Sequence, residues 1–216
     1  MCGRFFVPPE GEDVLLNRMM EEADRRRAAL TESFAVSRGE ILPSQCAAVI
    51  ARSRRGEEGA FPMLWGFHRP DGKGLIINAR SETAMEKAMF RPSMELRRCL
   101  IPCLWYFEWE TRNAQISMLG DAPGKAAGGQ TQKIKYAIRP SAPGLTYLAG
   151  IYRYEEKSPL PVFTVLTREA APAIAFIHDR MPVIFSEGAK EQWLSQSADP
   201  QKALALCETE MAYQAV

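Results

Sequence analysis

The run at 99–110, Cys-Leu-Ile-Pro-Cys-Leu-Trp-Tyr-Phe-Glu-Trp-Glu, constrains the fold more than any other stretch. It is apolar and aromatic apart from Pro102, Glu108 and Glu110, and it reads as a long buried strand. Further strand candidates are Cys46–Ala51, Phe61–Phe67, Leu75–Ile77, Lys133–Ile138, Tyr147–Arg153, Val162–Thr167 and Val183–Phe185. They follow one another without regular strand–helix alternation, which argues against a doubly wound parallel sheet. The expectation is an α+β fold: a single domain over 1–216, with a curved, mostly antiparallel, barrel-like sheet and flanking helices.

Helix signals are fewer. Leu15, Leu16, Met19, Met20 and Ala23 recur at three- and four-residue spacing, so Asp13–Leu30 is predicted helical, with Arg25–Arg27 as its solvated end. Ser81 is expected to cap a helix reaching about Met89, and Arg168–Ile177 to form another with Pro172 in its first turn. Two closing helices are expected, one capped by Ser186 and one by Asp199 ahead of Pro200. Thr111–Gln132, poor in large apolar residues, is expected to be a protruding loop.

Composition removes whole classes of function. The net charge of +1 rules out a broad basic field, so a nucleic acid would have to be held by a local cluster of Arg. No apolar run nears the ~20 residues that span a bilayer, and no leader pattern opens the chain, so a cytoplasmic protein without a membrane partner is expected. Five cysteines, an odd number, fit a reducing compartment. On a strand, Cys99 and Cys103 lie roughly 13 Å apart, too far to share an ion. With only two histidines besides, no metal site and no cofactor are expected. Gly120–Ala126 looks like a phosphate loop, but it is one residue short and has Ala126 where a hydroxyl is needed.

The start Met1-Cys2-Gly3-Arg4 carries chemistry. Aminopeptidases remove an initiator Met before a small residue, and removal here leaves a 1,2-aminothiol. Unperturbed α-amines titrate near ~8 and thiols near ~8.5, so both are partly nucleophilic at neutrality. The amine condenses with an aldehyde to an imine, and the thiol closes a thiazolidine; alternatively the amine serves as the thiol's base. Gly3 permits close approach and Arg4 suits an anion. On a strand, Glu108 faces with Tyr106, opposite Phe107 and Trp109; a poorly solvated carboxyl there suits a general acid. His178-Asp179-Arg180 combines imidazole, carboxylate and guanidinium. Asn78-Ala79-Arg80 stands at a strand-to-helix junction, a natural anion site. Each has a purely structural alternative: a small buried Cys, an edge-strand Glu, a surface turn, a capping Asn.

Taken together, Met1-Cys2-Gly3-Arg4, Pro43-Ser44-Gln45, Trp65-Gly66, Asn78-Ala79-Arg80-Ser81-Glu82-Thr83, Arg98–Pro102, Glu108-Trp109 and Ile177–Pro182 resemble the SOS-response-associated peptidase family. Its members are abasic-site processing proteins. The resemblance implies that the partner is single-stranded DNA containing abasic sites, and a monomer is expected. It implies a covalent thiazolidine between Cys2 and the ring-opened aldehyde, with a self-cleaving peptidase activity that exposes Cys2. It gives catalytic roles to Cys2, Asn78, Glu108 and His178, and DNA-binding roles to Gly3, Arg4, Trp65, Arg80 and Arg180. The chain departs from the family at three places. Trp105 stands where members usually have Gly, Glu40 where many have Asn, and Phe67–Gly72 where many have a second Trp. An N-terminal-nucleophile amidohydrolase and a non-catalytic nucleic-acid module are the competing functions.

Overall fold

A computed structural model describes residues 2–53, 55–113 and 131–216. The first half contains β1 (Arg4–Val7), α1 (Val14–Ala28), β2 (Gly39–Ile41), β3 (Cys46–Arg52), β4 (Glu58–Trp65), β5 (Phe67–His68), β6 (Leu75–Ile76) and β7 (Asn78–Arg80). Then come α2 (Ser81–Ala84), α3 (Arg91–Leu96), β8 (Arg98–Cys103), β9 (Trp105–Asn113), β10 (Thr131–Pro140) and β11 (Thr146–Arg153). The chain finishes with β12 (Val162–Glu169), β13 (Arg180–Pro182), β14 (Ile184–Phe185), α4 (Lys190–Leu194), α5 (Pro200–Leu204) and β15 (Met211–Ala215).

Two sheets carry the fold. The smaller is antiparallel, in the order β15-β10-β9-β1-β2. The larger runs β13-β12-β4-β3-β8-β11-β14, and β11 also pairs with β12, closing β12, β4, β3, β8 and β11 into a ring. Among the described strands, the β12–β4 and β12–β7 pairings are parallel and the others antiparallel; a single parallel bridge joins Val36 to Cys46. The expected α+β architecture with a curved, mostly antiparallel, barrel-like sheet is therefore what forms.

The long run at 99–110 is two strands, not one. β8 belongs to the larger sheet and β9 to the smaller. Leu104 is the break: its N–H donates to the Phe6 carbonyl at 2.9 Å, and its carbonyl accepts from Thr146 Oγ1 at 2.9 Å. The backbone thus leaves one sheet and joins the other within a residue. Both faces of the larger sheet are buried, which explains apolar runs in place of alternation. Ala47, Val49, Cys99, Ile101 and Cys103 join one core with Cys2 and Phe5. Ile50, Leu100, Ala149 and Ile151 join a second core with Met94 and Trp193 of α3 and α4.

The first helix forms as read, with Asp13 Oδ1 accepting from Leu16 N at 2.8 Å as its cap. Its basic end is not merely solvated: Arg26 pairs with Glu22 at 2.6 Å and Arg27 with Asp24 at 2.9 Å. Asp199 caps α5 as expected, accepting from Gln201 N at 2.9 Å, but Ser186 does not cap α4, where Ala189 holds that position. The helix expected from Ser81 to about Met89 shrinks to Ser81–Ala84, with Arg80 at its cap position and no side-chain cap bond. Asn78–Arg80 is itself a strand, because it fills an open edge of β12. Residues 171–177, expected helical, form turns with Ile174 N bonded to Ala171 O and Ile177 N to Ile174 O. β12 runs on to Glu169 there, and its pairing with β13 outweighs local helix preference. The strand expected over Phe61–Phe67 stops at Trp65.

Among the described elements, β1, β2, β7, α3, β13 and the closing β15 were not foreseen. Of the loop expected over Thr111–Gln132, both ends are strand, and its remainder, with Gly120–Ala126, lies outside the described residues.

Candidate active site

The N-terminus is a strand that alternates. Phe5 and Val7 point into the core, while Arg4 and Phe6 face outward. β1 pairs with β9, setting Arg4 opposite Phe107, and with β2 on its other edge. Cys2, just before this strand, is fully buried. Asn78 Nδ2 donates to the Cys2 carbonyl at 2.8 Å, so β7 pins the residue that precedes β1. Asn78 Oδ1 and the Tyr106 hydroxyl are buried with no hydrogen-bond partner among the described residues. Burial first, and the Glu108 charge second, push the Cys2 thiol up to about 12.

Glu108 is buried, and it faces with Tyr106 as strand alternation requires; Tyr106 and Cys2 both feel its charge. On the opposite face of β9, Trp109 carries the Arg4 guanidinium 5.2 Å from its ring centroid. Gly3, Arg4, Glu108, Trp109 and Lys133 line an open pocket of about 260 Å³. This pocket gathers the sequence-predicted Gly3, Arg4 and Glu108 next to Cys2 and Asn78.

The second group sits at the far end of β12, which is flanked by β7 and β13. Thr167 is opposite Arg80 on one side and Pro182 on the other. His178 Nδ1 lies 3.0 Å from the Arg180 backbone N and 2.7 Å from Asp179 Oδ1. A neutral Nδ1 accepts from the first; a protonated one donates to the second. Proton position and hydrogen-bond partner therefore switch together, which suits a proton carrier. Arg180 is engaged by Glu82, at 2.7 and 2.9 Å, and donates to the Thr167 carbonyl at 2.8 Å. That guanidinium holds the Glu82 carboxyl below its usual range. Arg80 is exposed and pairs with no carboxylate among the described residues.

Trp65, placed by the sequence reading in the DNA-binding set, is fully buried. Its ring packs against Phe5 at 5.2 Å and Phe163 at 6.1 Å, and Nε1 donates to the Ile77 carbonyl at 3.0 Å. It thereby braces the residue that precedes Asn78. Gly66 follows at φ +121°, and a Cβ there would meet Leu75 at 2.9 Å, so the Trp-Gly pair needs its glycine to turn into the β5–β6 hairpin. Pro43-Ser44-Gln45 is the turn beneath: Ser44, at φ 72°, donates its N–H to Trp65 O at 2.8 Å, and Trp65 N returns to Gln45 O at 3.0 Å. His68, in that hairpin, is held by Glu155, which also takes Arg153 at 2.8 Å.

Sequence reasoning missed Lys133 and Lys135. The register puts Lys135 opposite Trp109 and Lys133 opposite Thr111, a pairing that only the fold reveals. Among the described residues no cluster of His, Cys, Asp or Glu could hold a metal, and no helix is long and apolar enough to cross a membrane.

The chain is 28% identical over 213 residues to abasic site processing protein YoqW of Bacillus subtilis (strain 168), covering 93% of this chain and 83% of that one. It is 27% identical over 206 residues to abasic site processing protein YedK of Escherichia coli (strain K12), covering 94% of this chain and 83% of that one. A crystal structure of a protein from Bacteroides thetaiotaomicron shares the fold at TM-score 0.72 and 19% identity, over 100% of this chain and 92% of that one. The family described as SOS response associated peptidase (SRAP) matches residues 1–216, and the chain belongs to that family.

Proposed function

We propose that this protein captures abasic sites in single-stranded DNA as a covalent thiazolidine at Cys2. The observation that carries the reading is the arrangement around Cys2. A buried cysteine next to the N-terminus has its carbonyl held by Asn78, and it lies beside an open pocket containing Glu108, Gly3 and Arg4. The relatives named as abasic site processing proteins support the substrate.

Hydrolysis of the Met1–Cys2 bond, the peptidase activity of this reading, consumes one water, releases Met and exposes the α-amine. Glu108 protonates the sugar ring oxygen, opening the deoxyribose to its C1′ aldehyde. The Cys2 amine adds to C1′, and loss of water gives an imine. Sγ then adds to the imine carbon while the ring nitrogen gains the proton, so aldehyde and aminothiol yield thiazolidine plus water. Burial favours the thiol over the thiolate, so the ring-closing step needs a base; Glu108, deprotonated by the first step, is the nearby carboxylate. His178, with its switchable Nδ1, carries protons and contacts the adjacent phosphate. Arg80, exposed and paired with no carboxylate among the described residues, offers a cation to the strand, and Arg180 becomes available when Glu82 yields. Trp65 acts from below, by positioning Asn78. One chain supplies every one of these groups, consistent with a monomer.

Intact-mass measurement after incubation with an abasic oligonucleotide tests the reading. The chain should lack Met1 and gain the mass of the oligonucleotide less one water, and Cys2→Ala should abolish the gain. Glutaminase activity without an adduct would favour the amidohydrolase; strand binding that survives Cys2→Ala with no adduct would favour a non-catalytic module.

A further inference from the structure

Glu40 lies on β2, opposite Phe6 of β1, and its two carboxylate oxygens are taken by two different cations. Oε2 accepts from Arg4 Nη1 at 3.0 Å, and Oε1 pairs with Lys135 Nζ, reaching over from β10. Both cations also rest on aromatic rings. The Arg4 guanidinium is 5.2 Å from the Trp109 centroid. The Lys135 ammonium is 3.9 Å from that of Phe107 and 5.8 Å from that of Trp109. Arg4 and Trp109 in turn line the pocket that holds Glu108.

This is a surface of alternating cations and rings, the kind on which a single strand tracks its phosphates and stacks its bases. A protein carboxylate already occupies the place a phosphate would take. The three side chains keep between 23% and 41% of their exposure, so a competing anion can reach them. As a fastener for β2 the arrangement is poor, because solvated ion pairs contribute little stability. As a competitor it is well placed, because the same two cations cannot serve carboxylate and phosphate at once.

We propose that Glu40 is a specificity-determining gate: it occupies Arg4 and Lys135 until a backbone phosphate displaces it, so undamaged single strands are released quickly and a strand is retained only by reaction at Cys2. The inference rests on the abasic-site reading above. Displacement exchanges one charge-assisted contact for another, which leaves little net gain for an intact strand. The carboxyl is held ionised by Lys135 first and Arg4 as well, so the gate stays charged across the neutral range.

The test is fluorescence anisotropy of an intact single-stranded oligonucleotide over a salt series, with the full-length wild-type protein and Glu40→Gln. The variant should bind about tenfold tighter at low salt, the worth of one added charge-assisted hydrogen bond. Its log–log salt slope should steepen by about 0.7 for each further phosphate held, up to about 1.4 for two. Adding Lys135→Gln to Glu40→Gln should return about 0.7 of that slope. Glu40→Asn, a shorter neutral side chain, serves as a second variant should the first fold poorly. Unchanged affinity and slope in the neutral variants overturns the gate, and so does a fall in thermal midpoint with no change in slope, the mark of a mere fastener. Wild-type adduct formation with an abasic strand is measured alongside. Its absence would sink the abasic-site reading, whereas an adduct with an unchanged slope sinks the gate alone.

Discussion

Replacing Trp65 with Phe separates a bracing role from a DNA-contacting one. The indole is fully buried and its Nε1 donates to the Ile77 carbonyl at 3.0 Å. Phe keeps the aromatic packing against Phe5 and Phe163 but removes this bond, leaving the carbonyl to its other donor, Val165 N at 3.1 Å. One lost hydrogen bond of this kind costs about 0.5–1.5 kcal/mol. Roughly 40 Å³ of lost ring volume, at about 24 cal/mol per Å³, adds about 1 kcal/mol. The total is about 1.5–2.5 kcal/mol, which for a chain of this size lowers the thermal midpoint by roughly 3–10 °C. Because Ile77 precedes Asn78, whose amide holds the Cys2 carbonyl, adduct formation should also slow. The salt slope of binding to intact strands should stay as in wild type, since no cation moves. Calorimetry and the anisotropy salt series read the two effects separately. A thermal midpoint within a degree or two of wild type, combined with weakened strand binding, would refute the bracing argument and put the indole on the DNA.

Glu108→Gln should slow adduct formation by roughly 10²–10⁴ with little change in thermal midpoint; a normal single-turnover crosslinking rate would remove Glu108 from the proton chemistry. Burial pushes the Cys2 and Cys46 thiols up to about 12 and leaves Cys99 and Cys103 well above the usual range, whereas Cys207 is only half-buried. Iodoacetamide near neutral pH should therefore label Cys207 first, read by peptide mass mapping, and labelling of Cys2 at an equal rate would contradict its burial. Glu40, Glu82 and Glu155 are all held below the usual carboxylate range in the folded chain, Glu40 and Glu82 chiefly by their cation partners and Glu155 by His68 and Arg153 against the cost of its burial. Their contribution is present at neutral pH and is lost as pH falls through about 4.3 towards their folded values. The thermal midpoint should drop over that acid window, and Glu82→Gln should flatten the drop; a midpoint independent of pH there would show that these pairs add nothing.

Local signals were strong where one residue type can do one thing. The first helix and its Asp13 cap, the Asp199 cap, the strands of the middle region and the two-faced character of β9 were all legible, because side-chain periodicity and capping act within a few residues. So were Cys2, Asn78, Glu108 and His178 as candidates, because each combines a reactive group with unusual neighbours. Partner choice was not legible. Whether 99–110 is one strand or two depends on Leu104 meeting the Phe6 carbonyl, nearly a hundred positions away. The stretches Asn78–Arg80 and Arg168–Glu169 became strand because β7, β12 and β13 needed each other's edges, and pairing across the sheet outweighed local propensity. Register alone set Lys135 beside Trp109 and brought Glu40 to both Arg4 and Lys135. The sequence by itself determined which ionisable and nucleophilic groups the chain carries. Only the tertiary structure decided that Trp65 lies beneath the site, that Glu82 and Glu40 already hold Arg180 and Arg4, and that Arg80 pairs with no carboxylate among the described residues, because burial and charge pairing are properties of distant residues brought together.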